Sequence, residues 1–398
     1  MQCEGHQEAV TGLVLSGGGA RAAYQAGVLA AVSELLPDAA RNPFPVIVGT
    51  SAGAINAVGL ACGALHFGEA VERIRSVWQN LHCDQVFRSD WAGLMLQAGR
   101  FLRRGLLGMR RDKPLSLLDS SPLRGMIERE MDFTGIAAAI RQRSLRAVAV
   151  TAFGYDSGHA VTFYQGWGSI DPWFRHRRVG MPTRLGTDHL LASAAIPLVF
   201  PPVRLQHEYY GDGAVRQVAP ISPALHLGAT RILVVGVTSN PPRDDAAVPA
   251  SVQPPSLARI AGHLLNSTFI DNLESDIELL ERLNHIGRIL PPGREKRRLG
   301  LRNVDVLVIN PSQPLEPIAA RHRKSLPLSL RAFLRGPGAT QVGGAGVLSY
   351  LLFEPGYCNE LMELGYRDAM SRRDELCAFL GAQAPVSMPE TADSLGAG

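Results

Sequence analysis

The chain predicts an α/β fold, a three-layer α/β/α sandwich with a mostly parallel central sheet. Three observations carry this expectation. Short apolar runs alternate with stretches of helical periodicity, the first two such runs each end in a glycine-bearing turn that opens a helix, and 46% apolar residues over 398 positions supply a large core.

Gly12-Leu13-Val14-Leu15 reads as a buried strand, Ser16-Gly17-Gly18-Gly19 as the turn after it, and residues 20–36 as the first helix. Val46-Ile47-Val48 is the second strand. It runs into Gly49-Thr50-Ser51-Ala52-Gly53, and a second helix follows from Ala54. Helical periodicity resumes over 68–81, and later strands are expected at 145–151, 160–164, 231–237 and 304–309. Residues 11–223 would form the main part of the domain and 224–380 complete the same α/β domain, with the proline-rich stretch 241–255 as an exposed connection and 1–10 and 384–398 as flexible tails.

A formal charge of +4 is too small for a general nucleic-acid binder. The five cysteines, Cys3, Cys62, Cys83, Cys358 and Cys377, are odd in number and lack metal-ligand spacing, so free thiols in a reducing, cytoplasmic compartment are expected. Residues 1–8 carry neither a basic nor an apolar leader region. Residues 44–65 are uncharged over a membrane-spanning length, but Pro45, Asn56 and repeated glycine fit a buried strand, elbow and core helix better than a lipid span.

Chemistry concentrates at three glycine-bearing turns. In Gly49-Thr50-Ser51-Ala52-Gly53, the flanking glycines let a strand turn sharply into a helix and lift the Ser51 hydroxyl clear of the strand as a nucleophile. In Gly17-Gly18-Gly19-Ala20-Arg21, exposed N–H groups at a helix start suit either a phosphate or the oxyanion of an acyl-transfer intermediate. The dinucleotide reading meets its glycine pattern and then fails, because the second strand ends in Gly49-Thr50-Ser51 where a ribose-binding acid is required. The third turn, Asp212-Gly213-Ala214, is by itself an ordinary turn, yet a serine nucleophile needs a base. A Ser-Asp-His order is formally available through His226, His263, His285 or His322, but an α/β-hydrolase places several strands before its nucleophile and here one strand and one helix precede Ser51.

The glycine loop, the serine elbow and Asp212-Gly213-Ala214, in this order and spacing, resemble the patatin-like phospholipases. Tyr24-Gln25-Ala26-Gly27, Ser116-Leu117-Leu118-Asp119, Ala192-Ser193-Ala194-Ala195-Ile196-Pro197 and Gly228-Ala229-Thr230-Arg231 extend the likeness over residues 11–240, and 304–311 with the helix near 360–369 follow it more loosely. The resemblance implies a patatin-like fold and a Ser51–Asp212 dyad in which Asp212 takes the Ser51 proton without histidine. It also implies an oxyanion hole at Gly17, Gly18 and Gly19, an acyl-ester lipid substrate, and no metal or organic cofactor. Asp212 must then be desolvated enough to act as a base near neutral pH. Two departures stand out: Ala22, whose methyl would narrow the oxyanion pocket, and Ala214 where many members have glycine. Arg21 is expected to steady the glycine loop rather than meet a lipid phosphate. The alternative is a patatin-fold protein that binds a membrane or partner with little catalysis.

Residues 91–111 set Leu94, Ala98, Phe101, Leu102, Leu106 and Met109 on one side of a notional helix, opposite Arg100, Arg103, Arg104, Arg110 and Arg111. That pattern fits peripheral contact with an anionic membrane, or a cap helix with its arginines in water.

Overall fold

The computed structural model describes residues 9–88, 99, 116–217, 219–239, 271–289, 303–335 and 345–381. The basic segment 91–111 apart from Gly99, the connection 241–255, the outer tails and His263 lie outside the described residues.

Ten described strands form one sheet, in the order β10-β9-β1-β2-β3-β4-β6-β5 with a β7–β8 ribbon joined to β3. They are β1 (Thr11–Leu15), β2 (Val46–Thr50), β3 (Ala147–Gly154), β4 (Ala160–Gly166), β5 (Trp173–Arg175), β6 (Arg178–Pro182), β7 (Val203–Leu205), β8 (Glu208–Asp212), β9 (Arg231–Val235) and β10 (Asp305–Ile309). The five strands β10, β9, β1, β2 and β3 run parallel, β4 pairs antiparallel with β3, and β6 is parallel to β4. The β2 strand is buried along its whole length, as a parallel strand covered on both faces must be.

The helices are α1 (Ala23–Leu35), α2 (Ala52–Cys62), α3 (Phe67–Gln79), α4 (Cys83–Val86), α5 (Ser121–Glu130), α6 (Thr134–Arg141), α7 (Thr187–Ser193), α8 (Ser222–His226), α9 (Asp271–Ile289), α10 (Leu315–Arg321), α11 (Leu328–Arg335), α12 (Ala345–Leu351), α13 (Pro355–Ser371) and α14 (Arg373–Leu380). Strand alternation divides them into two layers. Leu13, Leu15, Ile47 and Val150 face the core shared with α1, α2, α3 and α13, whereas Val14, Val48 and Ala149 face the core shared with α8 and α9. This is the expected α/β sandwich with its mostly parallel sheet.

The C-terminal part belongs to the same sheet and core. β9 and β10 extend the parallel sheet beside β1. On one face α13 lies at backbone contact with α1: a Cβ on Gly27 would stand 1.9 Å from the Met362 carbonyl oxygen, and one on Gly365 would stand 2.1 Å from that of Tyr24. Among the described residues no helix is long and apolar enough to cross a membrane. The uncharged stretch 44–65 folds as β2, the elbow and α2.

Candidate active site

Parallel topology sets where chemistry can gather, because strands that point one way deliver their C-terminal ends to one rim. β1 ends at the glycine loop, β2 at Ser51, and β3 at the point where β8 joins it, with Ala152 opposite Asp212. The sheet therefore brings together the three turns singled out in the sequence.

Ser51 occupies the elbow with φ 56° and ψ −130°, a left-handed backbone region that costs a non-glycine residue about 1–3 kcal/mol. Its surroundings hold it there. The Ser51 N–H donates to Ser193 Oγ at 2.8 Å, and Ser193 Oγ donates to the Thr151 carbonyl at 2.7 Å. The flanking glycines have no room for side chains: a Cβ on Gly49 would stand 2.4 Å from the Gly53 carbonyl oxygen, and one on Gly53 would stand 2.4 Å from the carbonyl oxygens of Leu15 and Ser16. Gly53 thus lets α2 approach the start of the glycine loop.

Ser51 Oγ donates to Asp212 Oδ2 at 2.5 Å, and among the described residues it has no other hydrogen-bond partner. Asp212 is fully buried at the end of β8. Its N–H donates to the Ala195 carbonyl at 2.8 Å, and its Oδ1 accepts from the Ala214 N–H at 3.0 Å. Position 214 contributes only that N–H to the carboxylate, which alanine supplies as well as glycine. Burial pushes the Asp212 carboxyl up to about 7, against smaller opposing effects of the Ser51 hydroxyl and the Ala214 N–H. The two tyrosines before it on β8 differ in burial. Tyr210 is buried with its ring 5.3 Å from Phe163, whereas Tyr209 faces solvent.

The glycine loop stands across from this pair. Gly19 has φ +56°, and a Cβ there would lie 2.2 Å from the Tyr350 carbonyl oxygen. Among the described residues none of the N–H groups of Gly17, Gly18 and Gly19 donates a hydrogen bond, which leaves them available to an oxyanion. Ala22 is fully buried. It lies behind the loop, where its carbonyl accepts from Asn56 Nδ2 at 3.1 Å, and it does not line the cavity.

Arg21 is fully buried and turned away from the cleft, so it does not meet a headgroup. Its Nε donates to Ser349 Oγ at 2.9 Å, one terminal nitrogen pairs with Glu316 at 2.7 Å, and the guanidinium lies 4.1 Å from the Tyr350 ring centre. It therefore ties the loop to α10 and α12, through side chains rather than loop carbonyls. Arg21→Met is expected to lower unfolding free energy by about 1–2 kcal/mol, because the hydrogen bond to Ser349 and the stacking on Tyr350 are lost while the partly exposed Glu316 is solvated; urea denaturation measures it.

The described histidines lie elsewhere. His226 stacks on Trp173 at 4.7 Å, and burial together with Arg175 and Arg178 holds it down to about 4. His189 packs edge-on against Phe163, His322 pairs with Glu360, and His285 is exposed on α9. None bonds to Ser51 or Asp212. Replacing His189 or His226 by glutamine is expected to leave ester turnover near wild type, read by steady-state kinetics.

Beside Ser51 and Gly19 opens a largely apolar cavity bounded by α2, α3 and α5. The sequence reading missed its polar frame. Trp78 Nε1 donates to Asn56 Oδ1 at 2.8 Å, Asn56 Nδ2 donates to Gln25 Oε1 at 3.0 Å, and Gln25 Nε2 donates to the Ser16 carbonyl at 2.8 Å. The network ties the cavity wall to the glycine loop. An amide in the uncharged helix after the elbow and a serine among alanines at 192–195 were the signals that could have pointed to Asn56 and Ser193. Among the described residues no group of side chains is arranged to hold a metal ion.

A family model described as patatin-like phospholipase matches residues 13–225, more than half of the chain. No curated protein matches. Among solved structures, VipD from Legionella pneumophila is similar at 12% identity and TM-score 0.41, covering 92% of this chain and 67% of its own. Human GIVD cytosolic phospholipase A2, solved in complex with methyl gamma-linolenyl fluorophosphonate, is similar at 13% identity and TM-score 0.45, covering 94% of this chain and 58% of its own. This chain thus spans about two thirds of the length of the first and under two thirds of the second.

Proposed function

Since the chain belongs to the patatin-like phospholipase family, whose members are lipid acyl hydrolases at the family level, we propose that it cleaves carboxylic esters of phospholipids or other acyl lipids with Ser51 as nucleophile and Asp212 as base. The observation that carries this is the 2.5 Å hydrogen bond from Ser51 Oγ to a buried carboxylate whose pKa is raised to about 7. A carboxylate so placed is about half ionised at neutral pH and basic enough to take a hydroxyl proton in the transition state.

In the first half-reaction Ser51 Oγ attacks the ester carbonyl carbon while its proton passes to Asp212 Oδ2. The tetrahedral oxyanion meets the N–H groups of Gly17, Gly18 and Gly19, contacts of a kind worth about 3–4 kcal/mol each in hydrolases. Collapse expels the alcohol, which takes the proton back from Asp212 and leaves an acyl ester on Ser51. In the second half-reaction Asp212 takes a proton from water, the resulting attack regenerates an oxyanion, and collapse releases the carboxylic acid while the leaving Ser51 Oγ takes the proton back from Asp212.

The strained elbow supports the reading because it holds Oγ at the cleft rather than in the strand. The cysteines Cys62, Cys83, Cys358 and Cys377 are all free thiols, which fits a reducing compartment such as the cytoplasm. An approach to an anionic membrane through 91–111 belongs to the same proposal and rests on the sequence pattern alone. Turnover of a graded ester and phospholipid panel tests the function: wild type should hydrolyse at least one acyl class, and a folded Ser51→Ala variant none. Equal turnover by the two proteins would refute it.

A further inference from the structure

The cavity beside Ser51 has a direction. Its floor is one stripe of α2, in which Ala52, Ile55, Asn56, Gly59 and Cys62 follow one another away from the nucleophile. At about 1.5 Å per residue, Gly59 lies roughly 12 Å and Cys62 roughly 16 Å along the helix from Ser51. Ile74, Trp78 and Ile127 help close the sides, and Arg73 and Glu130 stand at the far rim.

The amide and indole groups that the described walls present to an occupant between Ser51 and that rim are already hydrogen-bonded. Asn56 and Trp78 are bonded to each other, and the Asn56 amide nitrogen is taken up by Gln25 and the Ala22 carbonyl. The stripe therefore suits an unbranched alkyl chain whose carboxyl carbon is held at Ser51.

Gly59 is the unusual residue of this floor. Glycine is unfavourable in a helix interior, so its presence calls for a cause. For Gly63, at the end of α2, the cause is packing, because a Cβ would stand 2.6 Å from that of Ala70. At Gly59 a Cβ would make only ordinary contacts, 3.5 Å from Ile74 Cγ1 and 3.6 Å from Met131 Cε, and both neighbours line the cavity. A methyl fits there. A longer side chain would enter the lumen, and because helical side chains lean toward the N-terminus it would fill the turn nearer Ser51.

We propose that this cavity is the acyl-chain site of the enzyme, that it accommodates about twelve carbons at roughly 1.25 Å per carbon of extended chain, and that Gly59 sets this length by keeping its far half open. The proposal rests on the ester-hydrolase reading for what sits at Ser51. The cavity itself is tested without turnover.

The experiment is displacement of a fluorescent fatty acid from the full chain by saturated acids from butanoate to hexadecanoate, on wild type, Gly59→Ala and Gly59→Leu. Each buried methylene is worth about fourfold in affinity, so wild-type affinity should climb with length and level off near dodecanoate. Gly59→Ala should follow wild type. Gly59→Leu should level off near hexanoate and lose at least about tenfold of the preference for dodecanoate over hexanoate. Both substitutions favour the helix, so thermal midpoints at or above wild type are expected; Gly59→Met, with a more adaptable chain, replaces leucine if that variant does not fold. A folded Gly59→Leu or Gly59→Met protein with the wild-type length profile would overturn the assignment, as would a wild type indifferent to chain length. Length-dependent displacement in a wild type that hydrolyses no ester would instead sink the hydrolase reading and leave the cavity assignment standing.

Discussion

Asp212→Asn should lower ester turnover by roughly 10²–10⁴ and leave the fold in place, because the substitution removes a general base and keeps the shape of the side chain. The amide oxygen can still accept from Ala214 N–H, and the amide nitrogen can donate to Ser51 Oγ, so both contacts of the carboxylate have a replacement. Stability should move the other way from activity. The Asp212 carboxyl is raised from 3.8 to about 7 in the fold by burial. Below the unfolded value both states hold the proton and the group makes no difference. As pH rises toward about 7 the unfolded chain ionises first, so this aspartate costs stability progressively over that window, and above it the cost is constant. Asparagine removes the cost. The gain on substitution should exceed by roughly 2–3 kcal/mol at about pH 8 the gain at about pH 5, measured by urea unfolding at the two values.

Ser51→Ala should abolish turnover, a loss on the order of 10⁴ or more, since no other nucleophile among the described residues bonds to Asp212. The choice of replacement carries a second expectation. With φ at 56°, alanine keeps the backbone strain of the elbow and glycine releases it. Ser51→Gly should therefore be more stable than Ser51→Ala by about 1 kcal/mol, with neither active. Equal stability of the two variants would mean that the elbow is not held under strain.

Much of this arrangement is legible in the sequence where short-range pattern and burial agree. β1, β2 and β9 are apolar runs buried on both faces of the sheet, β10 is an apolar run at its edge, and the strand-glycine-helix order at Ser51 is a local signal. The first helix is expected over 20–36 in one piece; it opens instead with a 3-10 turn at Gly19–Ala22, where the glycine loop closes against Tyr350. β5 to β8 are not legible. Trp173–Arg175 and Arg178–Pro182 are short, and the second carries both Gly180 and Pro182, which weaken a strand pattern; they become strands through pairing with β4 and each other at the sheet edge. Asp212 reads as a turn because Asp-Gly is a turn signal. Its position at the end of β8, opposite Ala152, depends on a pairing some sixty residues away along the chain. The partners of Arg21 are more distant still, on α10 and α12, and no local pattern in the sequence names them.

The account's central claim is that a buried aspartate, and no histidine, activates Ser51. Its most direct measurement is the rate at which an alkyl fluorophosphonate modifies Ser51, followed by intact mass over a range of pH for wild type and Asp212→Asn. Wild type should be modified at Ser51 alone, at a rate that rises through about 7 as the carboxyl ionises, while the folded asparagine variant reacts slowly with a flat profile. Equal rates and equal pH profiles in the two proteins would contradict the claim.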